Sequence, residues 1–407
     1  MQLVQTEDQE LLAKTAADFV AGRSPLSRVR ALRDGDDPLA FSPALWKEMA
    51  DLGWVGIPFP EEFGGAGMGC AELAVVLEAL GRTLAPEPFL STVLLAGQAL
   101  LRGGSAEQKR TWLPRLCAGE AFLALASEER GGRYEPTRVA TRAESTSGGF
   151  RISGEKLHVI DGAAAQAFVV VGRTAGGERE REGISLFLVP AEADGVEVER
   201  QRRVDSRGAA IVRLRGALIG RDALVGPEAG GASLLEDVTD FATAGLCAEM
   251  LGSAAAAFDR TLHYLKNRMQ FGVPIGSFQA LKHRAAHLFT ELELVRSAVM
   301  AAARALDEGS PDARPLVSLA KARASETAVL VANEAVQMHG GIGMTDEHEI
   351  GFYLKRARVA EWTFGDAAYH RDRWARLLGY CWCGSSPRPS VCSGPAAASP
   401  WTAPPSG

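Results

Sequence analysis

The sequence predicts an α+β protein in three parts: an N-terminal α-helical domain, a middle antiparallel β-domain and a C-terminal four-helix bundle. Two changes of hydrophobic period carry that prediction. Apolar residues recur at helical spacing up to about residue 119, give way to short β-rich runs from 121, and return to helical spacing after 226. A third observation is that the last part contains four long periodic stretches, the count and length of a bundle. The boundaries that follow are 1–119, 120–228 and 229–380, with a tail at 381–407.

Each element has its own local signal. Segments 8–20, 42–52, 70–84 and 105–116 place apolar residues on one helical face. The Pro- and Gly-dense loop 57–65 and the run APEP at 85–88 interrupt them, because proline removes a backbone donor and clashes with the preceding turn. Strands are expected at 122–126, 150–153, 167–171 and 184–189, with glycine turns at 148–149, 162, 176–177 and 194–195. The bundle helices are expected at 234–269, 279–308, 315–339 and 348–378, rich in alanine that permits close packing. The tail is rich in Pro, Ser, Ala and Gly, lacks a repeating apolar face, and is expected to be disordered.

Composition narrows the function classes. The chain has 407 residues and a formal net charge of −6, which argues against a nucleic-acid footprint. Arginines at 200, 202 and 203, and basic residues at 355, 356 and 358, could meet phosphates locally. The N-terminus lacks a basic and apolar leader, and no segment reads as a membrane span, so a cytoplasmic protein is expected. Cys70, Cys117 and Cys247 are isolated, and Cys381, Cys383 and Cys392 lack the second Cys/His pair of a zinc site, so all read as thiols without a metal role.

Two strings carry chemistry. RMQFGVPIGSFQ at 268–279 places an arginine, whose planar fork suits phosphate oxygens, before a Gly-Pro turn and a new helix. QMHGGIGMTD at 337–346 ends a helix in glycines that let backbone approach a ligand closely. Taken alone, the first also reads as a turn with a solvated arginine and the second as a glycine-rich helix cap.

Together the two strings resemble the flavin-binding signatures of the acyl-CoA dehydrogenase family, and the resemblance extends over roughly 7–378. It implies FAD as cofactor, an acyl-CoA substrate, an electron-transfer flavoprotein as electron acceptor, and an oligomer in which these strings reach a flavin lying mainly on another subunit. It assigns Arg268 and Gln279 to the FAD pyrophosphate, Phe271 to the adenine end, Gln337 to the adenosine or its phosphates, and Gly340 and Gly341 to the close backbone approach.

Other positions depart from the family pattern. The family's tyrosine-glutamate-glycine motif aligns with Thr363-Phe364-Gly365, which puts Phe364 where the proton-abstracting carboxylate stands. The alternative base location reads Phe241-Ala242-Thr243, also without a carboxylate. Nearby carboxylates are Asp240, Glu249, Glu361 and Asp366, of which Asp366 is the leading candidate for an unusual base. Ser127 and Glu128 match in type the start of the family's threonine-glutamate-proline run, while the small residues that follow are replaced. The strand that flanks the flavin ring carries His158, read as a structural strand residue, and Ile160, which lacks a hydroxyl for the flavin.

The phrase at 362–366, with 128–134, is similar to the small, base-lacking subunits of heteromeric acyl-CoA dehydrogenases. That likeness implies a homologous dehydrogenase subunit as partner, which would supply the base for α,β-dehydrogenation. A self-sufficient dehydrogenase using Asp366, a non-catalytic assembly subunit, and a flavin monooxygenase of related fold are the alternatives.

Overall fold

The computed structural model describes residues 4–35, 37–132 and 134–380. The tail expected to be disordered, with Cys381, Cys383 and Cys392, lies outside the described residues.

The N-terminal helices are α1 (Glu7–Arg23), α2 (Ser27–Asp34), α3 (Pro43–Asp51), α4 (Cys70–Arg82), α5 (Gln98–Gly103) and α6 (Ala106–Cys117). A capping box fixes the start of α1: the Thr6 hydroxyl accepts from Gln9 N, and the Gln9 side chain accepts from Thr6 N. A π-helical stretch, Phe89–Gly97, leads directly into α5 and is buried at every residue. It has no solvent face, so it carries no amphipathic period and escapes a sequence reading, as does the short polar α2.

The middle region is one sheet built from β1 (Leu123–Ala126), β2 (Arg142–Thr146), β3 (Gly149–Ile160), β4 (Ala167–Arg173), β5 (Ile184–Pro190), β6 (Val196–Arg202), β7 (Gly208–Gly220) and β8 (Leu224–Val225). Its order is β6-β7-β3-β2-β4-β5-β8, with β1 beside β4. Pairing is mainly antiparallel, with β4 parallel to β1 and, through Arg142 and Arg173, to β2. β4 and β5 read as continuous apolar runs because both faces are covered: Val169, Val171, Leu186 and Leu188 pack on the helices, while Phe168, Val170, Phe187 and Val189 fill the far side of the sheet. The sequence missed β2, β6 and β7. On β6 and β7 the outer face is laced by ion pairs, Glu197 with Arg215 at 2.9 Å and Glu199 with Arg213 at 2.6 Å, so apolar alternation is weak.

The C-terminal region holds α7 (Ala232–Asn267), α8 (Gln279–Asp307), α9 (Ala313–His339), α10 (Ile350–Trp362) and α11 (Ala367–Leu377), with a small hairpin of β9 (Met269–Gln270) and β10 (Val273–Pro274) between α7 and α8. The expected fourth bundle helix is therefore two helices, broken at 363–366. By length and composition α7 could cross a bilayer, contrary to the sequence expectation, but its apolar stretch is wholly buried inside the protein. Backbone contact seats α4 against it. A Cβ on Gly252 would stand 1.8 Å from the Glu78 carbonyl oxygen, and one on Gly81 would stand 2.1 Å from that of Glu249, so only glycine permits this crossing. Cys70, Cys117 and Cys247 are free and buried, as expected of isolated thiols.

Candidate functional site

The break between α10 and α11 is built, not frayed. Phe364 has φ +61° and Gly365 has φ +117°, and a Cβ on Gly365 would lie 2.4 Å from Tyr369 Cδ1, so only glycine fits there. The carbonyls freed by the break need donors. Lys321, fully buried on α9, donates to the carbonyls of Ala360 at 3.1 Å, Glu361 at 3.0 Å and Gly365 at 2.8 Å, and to Ser325 Oγ at 2.9 Å. Burial lowers the Lys321 pKa to about 8. His370 meets the Phe364 carbonyl through Nε2 at 3.1 Å, and burial lowers its pKa to about 3. A neutral imidazole can only donate there, which leaves the buried Nδ1 as an acceptor with no partner among the described residues.

This break forms one wall of a cleft of about 800 Å³, lined by Thr239, Asp240 and Thr243 of α7, Arg314 of α9, Tyr369, His370 and Arg373 of α11, and the loop residues Tyr134 to Thr137. A smaller pocket of about 150 Å³ shares Tyr134, Glu135, Pro136, Thr239, Phe364 and Tyr369 with it and adds Ser127, Glu128 and Trp362. The opposing loop is pinned by two residues, buried Arg173 and half-buried Glu129, that sequence reasoning did not single out. Arg173 donates to the carbonyls of Thr137 at 3.0 Å, Val139 at 3.2 Å, Glu180 at 2.7 Å and Glu182 at 2.7 Å. Glu129 accepts from Lys156 Nζ at 2.6 Å, Ala140 N at 2.6 Å and Thr141 N at 3.0 Å.

The candidate bases fare unequally. Phe364 lines both parts of the cleft and offers no proton acceptor. Asp366 lines neither part, and its carboxylate caps α11 by accepting from Tyr369 N at 2.8 Å, so its position serves the helix. Asp240 lines the larger part but is held by Arg373 at 2.8 Å; burial still pushes its pKa up. Glu249 is enclosed by Arg356 at 2.8 Å and Arg207 at 2.7 Å, and these guanidiniums outweigh burial and hold it below the usual carboxylate range. Glu361 pairs with Arg358 at 3.2 Å. Thr243, at the alternative base location, donates its hydroxyl to the Thr239 carbonyl at 2.7 Å.

The flavin-type strings stand elsewhere. Arg268 caps the C-terminal end of α7, Phe271 tips the β9–β10 hairpin with 91% of its surface exposed, and Gln279 opens α8. Gln337, Gly340 and Gly341 close α9, and Tyr264 stacks on His339 at 4.5 Å, which joins the ends of α7 and α9 into one surface. The structure thus brings these six residues to a common end of the bundle. Arg268, Gln279 and Gln337 are exposed there, and their side chains have no hydrogen-bond or ion-pair partner among the described residues. That set of free donors beside bare glycine backbone suits a nucleotide.

The strand that would flank a flavin ring differs. His158 lies in β3, as its reading as a strand residue expects, at a bulge made by the register shift between Lys156 and Val159, where it has φ +52° and is exposed. Between Ile160 and Thr363 the free space is only about 10 Å³, crowded by Arg203, Arg207 and Arg356. A ring system does not fit that gap as it stands.

Known proteins bear on this arrangement. Profiles of the acyl-CoA dehydrogenase N-terminal, middle and C-terminal domains match residues 6–120, 124–215 and 230–379. The chain is 30% identical over 333 residues to the mitochondrial isovaleryl-CoA dehydrogenase of Arabidopsis thaliana, covering 80% of this chain and 81% of that one. Among solved structures it is similar to the ChsE4-ChsE5 complex from Mycobacterium tuberculosis, with 29% identity, a TM-score of 0.85, and coverage of 94% of this chain and 100% of that one. It is also similar to PigA solved with FAD, with 25% identity, a TM-score of 0.86, and coverage of 93% and 99%.

Proposed function

The chain belongs to the acyl-CoA dehydrogenase family, an FAD-dependent family, and we propose that it acts as one subunit of a heteromeric dehydrogenase that removes α- and β-hydrogens from an acyl-CoA thioester. In this reading Arg268, Phe271, Gln279, Gln337, Gly340 and Gly341 complete an FAD site on a homologous partner, which also carries the base. When bound, FAD supplies the hydride acceptor, and an electron-transfer flavoprotein takes the electrons onward. The acyl-CoA that is oxidised lies beside that flavin and base on the partner, and the cleft walled by Phe364 is a second place, on this chain, for an acyl-CoA.

The observation that carries this reading is a distance within one helix. The cleft residue Thr239 and the cap residue Arg268 lie at opposite ends of α7, separated by about 40 Å at 1.5 Å per residue. The groups at the Arg268 end therefore serve a flavin that does not lie in this chain's own cleft. The narrow gap beside Ile160 and the absent carboxylate at Phe364 support a partner that holds the ring and the base. The similarity to a complex of two named components is consistent with it.

FAD content at equal subunit ratio tests the proposal. The co-purified complex is expected to hold fewer flavins than subunits, and Arg268→Ala to weaken FAD retention by about 1.5–3 kcal/mol, the worth of a charged hydrogen bond. One flavin for every subunit, or full retention in the variant, would contradict the shared site.

A further inference from the structure

From the pocket beside Phe364 we infer that Glu128 is the proton acceptor of this chain's own cleft, standing on the wall opposite the position where the carboxylate is missing. The inference rests on the acyl-CoA reading above and goes beyond it, because it gives a chemical role to a cleft that the absent base would leave silent.

Geometry comes first. Glu128 and Phe364 bound the same pocket of about 150 Å³. In a cavity of that size a substrate carbon held beside Phe364 is within reach of the Glu128 wall directly or through one water. The pocket's aromatic surface comes from Tyr134, Trp362, Phe364 and Tyr369, which favours an apolar acyl segment over water.

The carboxylate is also uncommitted. Its neighbour Glu129, which borders the same pocket, is consumed by Lys156 and two backbone amides. Among the described residues the Glu128 side chain has no hydrogen bond and no ion pair. The charged and titratable groups sharing its pocket are Glu129, Tyr134, Glu135, Arg138 and Tyr369, and Arg138 is engaged by Glu178 at 3.0 Å and by the Gly131 carbonyl. Arg203 is the cation that bears on Glu128 from outside and lowers its pKa. Solvent reaches the residue at the open mouth, yet the enclosing walls withdraw enough water from the carboxylate to raise its pKa to about 7. A bound acyl chain would remove more water and push in the same direction. An unpaired carboxyl with this environment, in a concave aromatic site, is the pattern of a general base.

The step is a proton transfer alone. The Cα–H bond of the thioester breaks, its electron pair stays on the substrate as the enolate, and the proton moves to a Glu128 Oε, which becomes the carboxylic acid. Reversal returns a proton from Glu128, or a solvent-derived deuteron after exchange, to the α-carbon.

The test uses the full chain and a 3-thia-acyl-CoA, which has α-hydrogens but none at the β position, so exchange into D2O is read by mass spectrometry without any hydride transfer. Binding of the same compound is measured in parallel by calorimetry. Wild-type protein is expected to bind it and to exchange the α-hydrogens at a rate that rises with pH and levels off above about 7, as the carboxylate ionises. Glu128→Gln is expected to bind comparably, to melt at the same temperature, and to exchange about 100-fold more slowly with a flat pH profile. Glu128→Asp, a carboxylate set back by one methylene, is expected to recover part of the rate. Wild-type binding without exchange, or exchange unchanged in Glu128→Gln, overturns the inference and leaves the acyl-CoA reading standing. Failure of the wild type to bind the thioester overturns that reading, and this inference with it.

Discussion

Arginines in different parts of the helical bundle lead opposite lives. Arg356, 4% exposed, closes a bidentate pair with Glu249 at 2.8 and 3.0 Å and reaches Asp205 at 2.9 Å, and Arg373 is held by Asp240 at 2.8 Å near the cleft. Arg268, at the far end of α7, is exposed and meets no carboxylate among the described residues. The first kind of site has its charge answered from within, so it holds the subunit together. The second has donors with nothing to donate to, so its reason for being there lies outside the chain. Identical chemistry thus separates a structural position inside the bundle from a recognition position at its end.

Replacing the two arginines should break or sharpen that contrast most strongly. Arg356→Leu removes the cation shared by buried Glu249 and Asp205, leaving them only Arg207 and Arg203, and is expected to destabilise the fold by about 3 kcal/mol in urea titrations. Arg268→Ala should change the same measurement by less than about 0.5 kcal/mol, as an exposed substitution. Equal effects at the two positions would erase the distinction and undermine the recognition role given to Arg268.

The cleft end should also reveal itself in acid. His370 has a folded pKa of about 3 against an ordinary 6.5, chiefly because burial disfavours its charged form. Between those values the unfolded chain binds the proton and the folded chain does not, so this residue makes stability rise with pH from about 3 to 6.5 and fall as the solution is acidified through that window. Its share of the slope is at most about 1.4 kcal/mol per pH unit. His370→Gln, with an uncharged side chain able to donate to the Phe364 carbonyl, should flatten the stability profile between pH 4 and 6. An unchanged slope would mean that His370 is not held neutral.

How much of this was readable in the sequence depends on how local each signal is. The three-part architecture, most helices and the strings at 268–279 and 337–346 are local patterns, and the structure gathers the residues of both strings at one end of the bundle. The break at 363–366 was not legible because α10 and α11 are each periodic, and its cause, Lys321 beneath three carbonyls, lies some forty residues upstream on α9. Glu128 and Glu129 look equivalent in the chain. Their different fates are set by Lys156, on a strand 27 positions away, and no period or motif encodes that. The fully buried stretch Phe89–Gly97 and the charge-laced β6 failed as sequence signals for opposite reasons, one having no polar face and the other almost no apolar one.

The smallest expected effect concerns Asp366, the carboxylate that sequence position favoured as a substitute base. Its oxygen caps α11 through Tyr369 N, a role that asparagine can fill and alanine cannot. Asp366→Ala should therefore cost about 1 kcal/mol, and Asp366→Asn only a few tenths. Neither change should alter α-hydrogen exchange from a bound thioester, because the carboxylate is absent from both parts of the cleft. The asparagine variant is the informative one, since it preserves the cap while removing the proton acceptor. If Asp366→Asn kept full stability and thioester binding yet abolished exchange, the carboxylate itself would be acting as the base. The cleft would then close around it when the substrate binds, and Asp366 would displace Glu128 from the role assigned above.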